Sequence, residues 1–276
     1  MIGLTRILEL LELVIFSAYV KGEQPVSVLI TAPVEAGKTE LVLKFGGNKG
    51  CVILTDATAY GIMRDYGQGI IDGTVKHLII PDLIKPVSRG KDTVHSLIAF
   101  FNALVEEGIV RVSTYAERIG VLDAERAIPV KCGLIATMAK GFLLDGRHHW
   151  SRMGFMSRML PISYDYAAST QMDIHDSISR RDYLDDAPIV LALPDSEIEV
   201  RLESHEAENL KMLTSAVMSV FSTNRPERVY GFRLQKQLQR LAMASALKDG
   251  RDIVTQVDVD YIRSLSGCIN LEYSPI

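Results

Sequence analysis

The run Ala32-Pro33-Val34-Glu35-Ala36-Gly37-Lys38-Thr39 places a glycine, a lysine and a hydroxyl side by side at the end of a small-residue loop. Residues of these types in this order hold phosphate groups. Backbone N–H groups and a helix N-terminus bind the phosphate oxygens, the lysine meets the β- and γ-phosphates, and the hydroxyl takes Mg²⁺. The loop predicts binding of ATP with Mg²⁺, lined by Ala32, Pro33, Val34, Glu35, Ala36, Gly37, Lys38, Thr39 and Glu40. Ala32 replaces the glycine usual at the first position, where a small side chain is the main requirement.

A second element is acidic. Lys76-His-Leu-Ile-Ile-Pro-Asp82-Leu83 is an apolar run that ends in a carboxylate, and Asp82 is predicted to join Thr39 on the metal. Nucleotide hydrolases of this kind mostly place a glutamate next, to polarise the attacking water, and here that place holds Leu83. If the register slips by one, Asp82 activates water and Pro81 takes the metal position without a ligand. Either way one acid of the pair is missing, and hydrolysis needs a replacement from Asp56 or from a neighbouring subunit.

These residues need a scaffold that brings loop ends together. Val26–Ile30 is a short apolar run before the loop, and 40–45 reads as a helix after it. Further runs at 51–54, 78–80, 133–136 and 160–163 read as buried strands separated by helices or long connections. Continuous apolar strands of this kind imply a parallel sheet covered on both faces. The segment 188–202 reads as two short strands about a Pro-Asp-Ser turn. Beyond it the pattern is helical over 204–221, 233–248 and 255–265, with Thr255 as cap and Asp258 in the first turn. The expected division is an α/β nucleotide-binding core over 1–190, a linker over 191–202 and a helical lid over 203–276.

The order of these elements resembles an AAA+ ATPase, and within that class the branch of the minichromosome-maintenance helicases. The helix His95–Gly108 and the following Ile109-Val-Arg-Val-Ser-Thr are similar to that family's helix and strand after the acidic strand. Gly133-Leu-Ile-Ala-Thr137 ends in a hydroxyl where the family's first sensor stands, usually as Asn. Gly154-Phe-Met-Ser157-Arg158 resembles the segment whose arginine reaches a neighbouring subunit's γ-phosphate, with Arg152 as second candidate. Arg233, in Gly231-Phe-Arg-Leu-Gln-Lys, stands where the second sensor would point into the nucleotide from the lid. The resemblance implies a P-loop NTPase core with a small C-terminal all-α lid. It also implies a ring or spiral homo-oligomer and ATP hydrolysis coupled to DNA remodelling or replication. The other readings are an ATP-gated scaffold with little hydrolysis and a remodeller of protein partners.

Composition bounds these readings. The chain has 276 residues, 47% hydrophobic and 23% charged, enough to bury a large core, and a net charge of −4 that argues against a surface basic all over. Contact with DNA would come from a pore or a partner protein. Arg111, Arg118, Arg126 and Lys131 flank the stretch where relatives carry a pore hairpin, but Glu117, Asp123 and Glu125 intervene and leave a solvated face as an equal reading. Cys51, Cys132 and Cys268 have no metal-like or framework spacing, so the expected compartment is the reducing cytoplasm. The apolar run 7–16 is interrupted by Glu9 and Glu12 and reads as an amphipathic helix, not a membrane segment. His148, His149 and Trp150 lie beside Arg147 and Arg152 and read as an exposed loop, because adjacent histidines share no helix face.

Overall fold

The computed structural model describes residues 1–108, 130–145, 154–182, 187–221 and 230–270. Five strands, β1 (Val28–Ala32), β2 (Cys51–Ile53), β3 (His77–Ile80), β4 (Gly133–Ala139) and β5 (Leu160–Ser163), make one sheet. All pairs are parallel and the order is β2-β3-β4-β1-β5. Every residue of β1 is buried. Its neighbours β4 and β5 come last in the chain, so β1 sits where the winding of the sheet reverses, a position at which α/β proteins bind ligands.

The period-two alternation of side chains divides the interior in two. Val28 and Ile30 of β1, Ile79, Ile135, Leu160 and Ile162 face one cluster. Leu29, Leu78, Ile80, Leu134, Ala136 and Met138 face the other. The first face is covered by α1 (Thr5–Phe16), α2 (Lys38–Leu43) and the C-terminal helices α7 (Ser204–Phe221), α8 (Phe232–Lys248) and α9 (Gln256–Leu265). The second is covered by α3 (Ala59–Ile71), the short α4 (Ile84–Val87) and α5 (Lys91–Asn102), which runs on into a π turn over Ala103–Glu107. The amphipathic N-terminal helix is present as α1, with Leu10, Leu11, Leu13 and Val14 buried against this core. Among the described residues no helix is long and apolar enough to cross a membrane.

The C-terminal helices start where their caps dictate. Thr255 and Asp258 form a capping box on α9. Burial would raise the Asp258 carboxyl, but Arg251, Thr255 and Ser245 donate to it and hold it below the usual carboxylate range. The segment 188–202 does not form the expected strand pair. Ile189 N–H donates to Lys44 O, Leu191 N–H to the Asn48 side chain and Ile198 N–H to Tyr19 O, so the segment is strapped to the core, with one local bond from Leu193 N–H to Leu191 O. Pro188 and Pro194 lack the N–H groups that a hairpin ladder needs. Ahead of that segment lies a further helix, which ends at Arg180. That helix, α6 (Ala168–Arg180), buries none of its residues, which is why no apolar stripe announces it.

His77 opens β3 fully buried, with Nε2 3.3 Å from Val26 O and Nδ1 without a partner. Burial, aided by Lys76, pushes the imidazole down to about 4 from 6.5. The folded chain therefore refuses a proton that the unfolded chain accepts. This contribution is intact above pH 6.5 and is lost as pH falls toward 4. Between pH 6.5 and 5 the loss is about 2 kcal/mol. Urea unfolding at the two pH values should show it, and His77→Gln should remove that part of the slope.

Candidate functional site

The chain leaves β1 at Ala32 and turns through the loop into α2. Gly37 adopts φ 74° and ψ 17° as the residue before α2, a left-handed conformation that favours glycine, and no side chain caps the helix. Its first N–H groups have no partner within the helix. Glu35 also lies at positive φ, 66°, so the loop carries backbone strain next to the phosphate position. Lys38 Nζ curls back over the loop and donates to Ala32 O at 3.1 Å and to Pro33 O at 2.5 Å. Burial lowers its ammonium from the ordinary value, against the opposing pull of Asp82 and Glu40.

Three further strand ends meet the loop. Thr39 Oγ1 donates to Pro81 O at 3.4 Å, although β4 lies between β1 and β3. Thr137, within β4, donates through Oγ1 to the same carbonyl at 2.5 Å, and its own carbonyl accepts from Leu83 N–H at 2.9 Å. Asp82 follows directly, and its Oδ1 accepts from Ile84 N–H at 3.0 Å. Among the described residues no donor engages Oδ2. Lys38, Thr39, Asp82 and Thr137, all predicted from sequence, thus gather at the carboxyl edge of the sheet. A threonine hydroxyl and a carboxylate oxygen are the hard donors that suit Mg²⁺, and Lys38 with the loop amides suits its phosphates.

Leu83 is fully buried in the second core, so the residue after Asp82 faces away from the loop. Asp56, the alternative acid, lies apart from the loop in this chain. It follows β2, three strands from β1 or about 14 Å, and is paired with Arg89 beside a separate cavity lined by Thr55, Thr58, Asp65 and Tyr66.

Two residues that carry no sequence motif brace the loop. Tyr164 Oη at 2.7 Å and Tyr166 Oη at 3.0 Å both donate to Ala36 O. Burial pushes both phenols up, so they remain protonated donors. In a trans peptide the carbonyl and the next N–H point to opposite sides, so this pair turns Gly37 N–H away from the tyrosines. The two lie just past β5, the strand beside β1, and that position at a carboxyl edge is the signal that could have marked them.

The two arginines lie elsewhere. Arg158 precedes β5 and so stands at the amino edge of the sheet, roughly 15 Å from the loop by the length of β1. Arg233 joins it there: Nη1 donates to Ser157 Oγ at 2.8 Å and Nε to Glu106 Oε1 at 2.9 Å. Arg233, expected to point into a nucleotide from the lid, thus stands at the edge of the sheet opposite this chain's own loop. Helix α8 packs along α1 and α9, and this seats its first turn at the amino edge. Arg158 donates to Gly154 O at 2.9 Å and to Glu107 at 2.7 Å. A Cβ at Gly154 would lie 2.5 Å from its guanidinium and would push the arginine aside, and the φ of 69° there favours glycine. Lys236 and Arg240 complete a basic crevice with Pro25, Val26 and Ser27. Arg111, Arg118, Arg126, Arg152, His148, His149 and Trp150 lie outside the described residues, as do residues 109–114.

No family model matches the chain. No curated protein matches it either. Among solved structures the chain is similar to a full-length MCM homolog from Methanopyrus kandleri, with a TM-score of 0.56 and 16% identity over 99% of this chain. The chain spans a little over half of that protein, 57% of its length. The likeness is one of fold. What the two share is the fold of a parallel sheet flanked by helices, and in this chain the loop 32–39 follows β1.

Proposed function

We propose that this chain binds ATP with Mg²⁺ at residues 32–40 and hydrolyses it only in a head-to-tail assembly of its own copies. One observation carries this reading. Lys38, Thr39, Asp82 and Thr137 meet at one edge of the sheet, while Arg158 and Arg233 meet at the opposite edge. One edge offers what holds a nucleotide and the other what neutralises charge on it, and copies stacked edge to edge would unite them. Such an interface is heterologous and closes into a ring or runs on as a spiral.

Within the site Lys38 would leave the Ala32 and Pro33 carbonyls for the β- and γ-phosphate oxygens. Thr39 and Asp82 would hold Mg²⁺, which supplies charge neutralisation along the phosphates. Thr137 would hold water or the γ-phosphate. A neighbour's Arg158, with Arg233 beside it, would stabilise charge on the transferred group. The water-activating acid would come from the neighbouring copy, because Leu83 is buried.

That same leucine favours a second reading, an ATP-gated scaffold that barely hydrolyses. Steady-state ATP turnover against Lys38→Ala separates the two, since a scaffold would show no turnover above that variant. By the sequence resemblance the work of the motor is DNA remodelling or replication in the cytoplasm. Turnover stimulated by DNA supports it, and turnover stimulated only by protein partners contradicts it. The core over 1–190 and the lid over 203–276 would move against each other in that cycle.

The tyrosine pair makes a separate prediction. Tyr164→Phe and Tyr166→Phe each lose one of the two bonds to Ala36 O, and each should bind ATP about threefold more weakly than the wild type. The double variant loses both bonds, worth about 0.5–1.5 kcal/mol apiece, and should bind about tenfold more weakly by calorimetry.

A further inference from the structure

Glu106 lies between the two arginines. Its Oε2 is 2.7 Å from Arg233 Nε and 3.5 Å from Arg158 Nε, and its side chain is 28% exposed. Arg158 itself is 14% exposed, so the Glu106–Arg158 pair is shielded more than a surface salt bridge, while Arg233 and Glu107 remain partly in solvent. Helix α8 grips the same segment twice more, by Arg233 on Ser157 and by Gln237 Nε2 on Arg158 O at 3.1 Å. Glu106 sits in the π turn that extends α5, closed by Gly108 N–H on Ala103 O at 2.7 Å. Such turns bulge one residue out of a helix and recur at functional sites. Here the bulge gives two consecutive acids, Glu106 and Glu107, to one guanidinium.

The network is not fully spent. Glu106 Oε2 and Arg158 Nε are buried, and neither makes a well-aligned hydrogen bond despite their ion-pair distances. A network welded only for stability would satisfy both atoms. Lys236 and Arg240 line the same crevice, and Arg240 is paired there with Glu23 at 3.0 Å.

We propose that Glu106 is a positioning residue that holds Arg158 of the core and Arg233 of the C-terminal helices as one unit. Delivery of the arginines to a neighbouring copy then requires those helices to be docked. This rests on the reading of Arg158 as acting in trans. Glu106 touches no nucleotide in its own chain and acts only through the arginines.

The test compares the full-length wild type, Glu106→Gln and Arg158→Ala for ATP turnover, ATP affinity and thermal unfolding. Glu106→Gln is expected to lower kcat at least about tenfold with KM and affinity unchanged, the signature of an interaction made only in the transition state. Glu106→Asp keeps the charge but withdraws it by one carbon, and gives an intermediate kcat should the glutamine variant not fold. If Arg158→Ala is inactive and Glu106→Gln turns over as the wild type does, the inference is overturned. It is overturned equally if affinity and kcat fall together. If Arg158→Ala itself keeps wild-type turnover, the trans reading beneath it fails.

Discussion

Arg158→Ala is expected to lower ATP turnover by about 10³–10⁵ while leaving ATP affinity as in the wild type, the effect typical of losing an arginine on a transferred phosphoryl group. The two halves of that expectation have separate physical sources. Affinity is unchanged because Arg158 stands before β5 at the amino edge, whereas the loop leaves β1 at its carboxyl edge. Turnover falls because no other guanidinium of the described residues is placed as it is, and Arg233 depends on the same Glu106. The variant also strands Glu106 and Glu107 without one partner, so some loss of thermal stability accompanies it. Wild-type turnover in Arg158→Ala would remove the arginine from the mechanism.

Lys38→Ala is expected to abolish turnover and to weaken ATP binding by about 10–100-fold, since charge-assisted hydrogen bonds are worth about 1.5–3 kcal/mol. In the nucleotide-free chain the ammonium is partly desolvated and spends its hydrogen bonds on two loop carbonyls. Its removal therefore costs the fold little. Unfolding should stay near that of the wild type while calorimetry with ATP and Mg²⁺ registers the loss. Unchanged affinity would show that the nucleotide does not sit on this loop.

Much of this was legible in the sequence for definite reasons. The strands at 78–80, 133–136 and 160–163 came through because a parallel sheet buries both faces and so leaves unbroken apolar runs, and 51–54 came through by the same pattern although it lies at the edge with Ile53 exposed. Helices over 204–221 and 233–248 showed in their period, and α9 in its Thr255–Asp258 cap. The loop residues and Asp82 were visible because their chemistry is local and tied to strand ends. What stayed hidden depends on tertiary placement. The 188–202 segment alternates like a strand but finds its partners on Lys44, Asn48 and Tyr19. Tyr164 and Tyr166 act through hydroxyls on a carbonyl 128 and 130 residues away. Arg233 could be placed on a helix by its pattern, but the edge that the helix faces follows from how α8 packs against α1 and α9.

On the proposed reading, one reaction is divided between two edges of the same chain. The residues proposed to hold nucleotide and those proposed to neutralise its charge lie at opposite edges of a single copy, so each is tested by removing it from a different copy. The direct measurement mixes Lys38→Ala, which keeps Arg158, with Arg158→Ala, which keeps the phosphate loop, and follows ATP turnover against total concentration. Each variant alone should be inactive, and the mixture should recover turnover as copies pair an intact loop with an intact arginine. A mixture as inactive as its components at every concentration would contradict a site shared between copies.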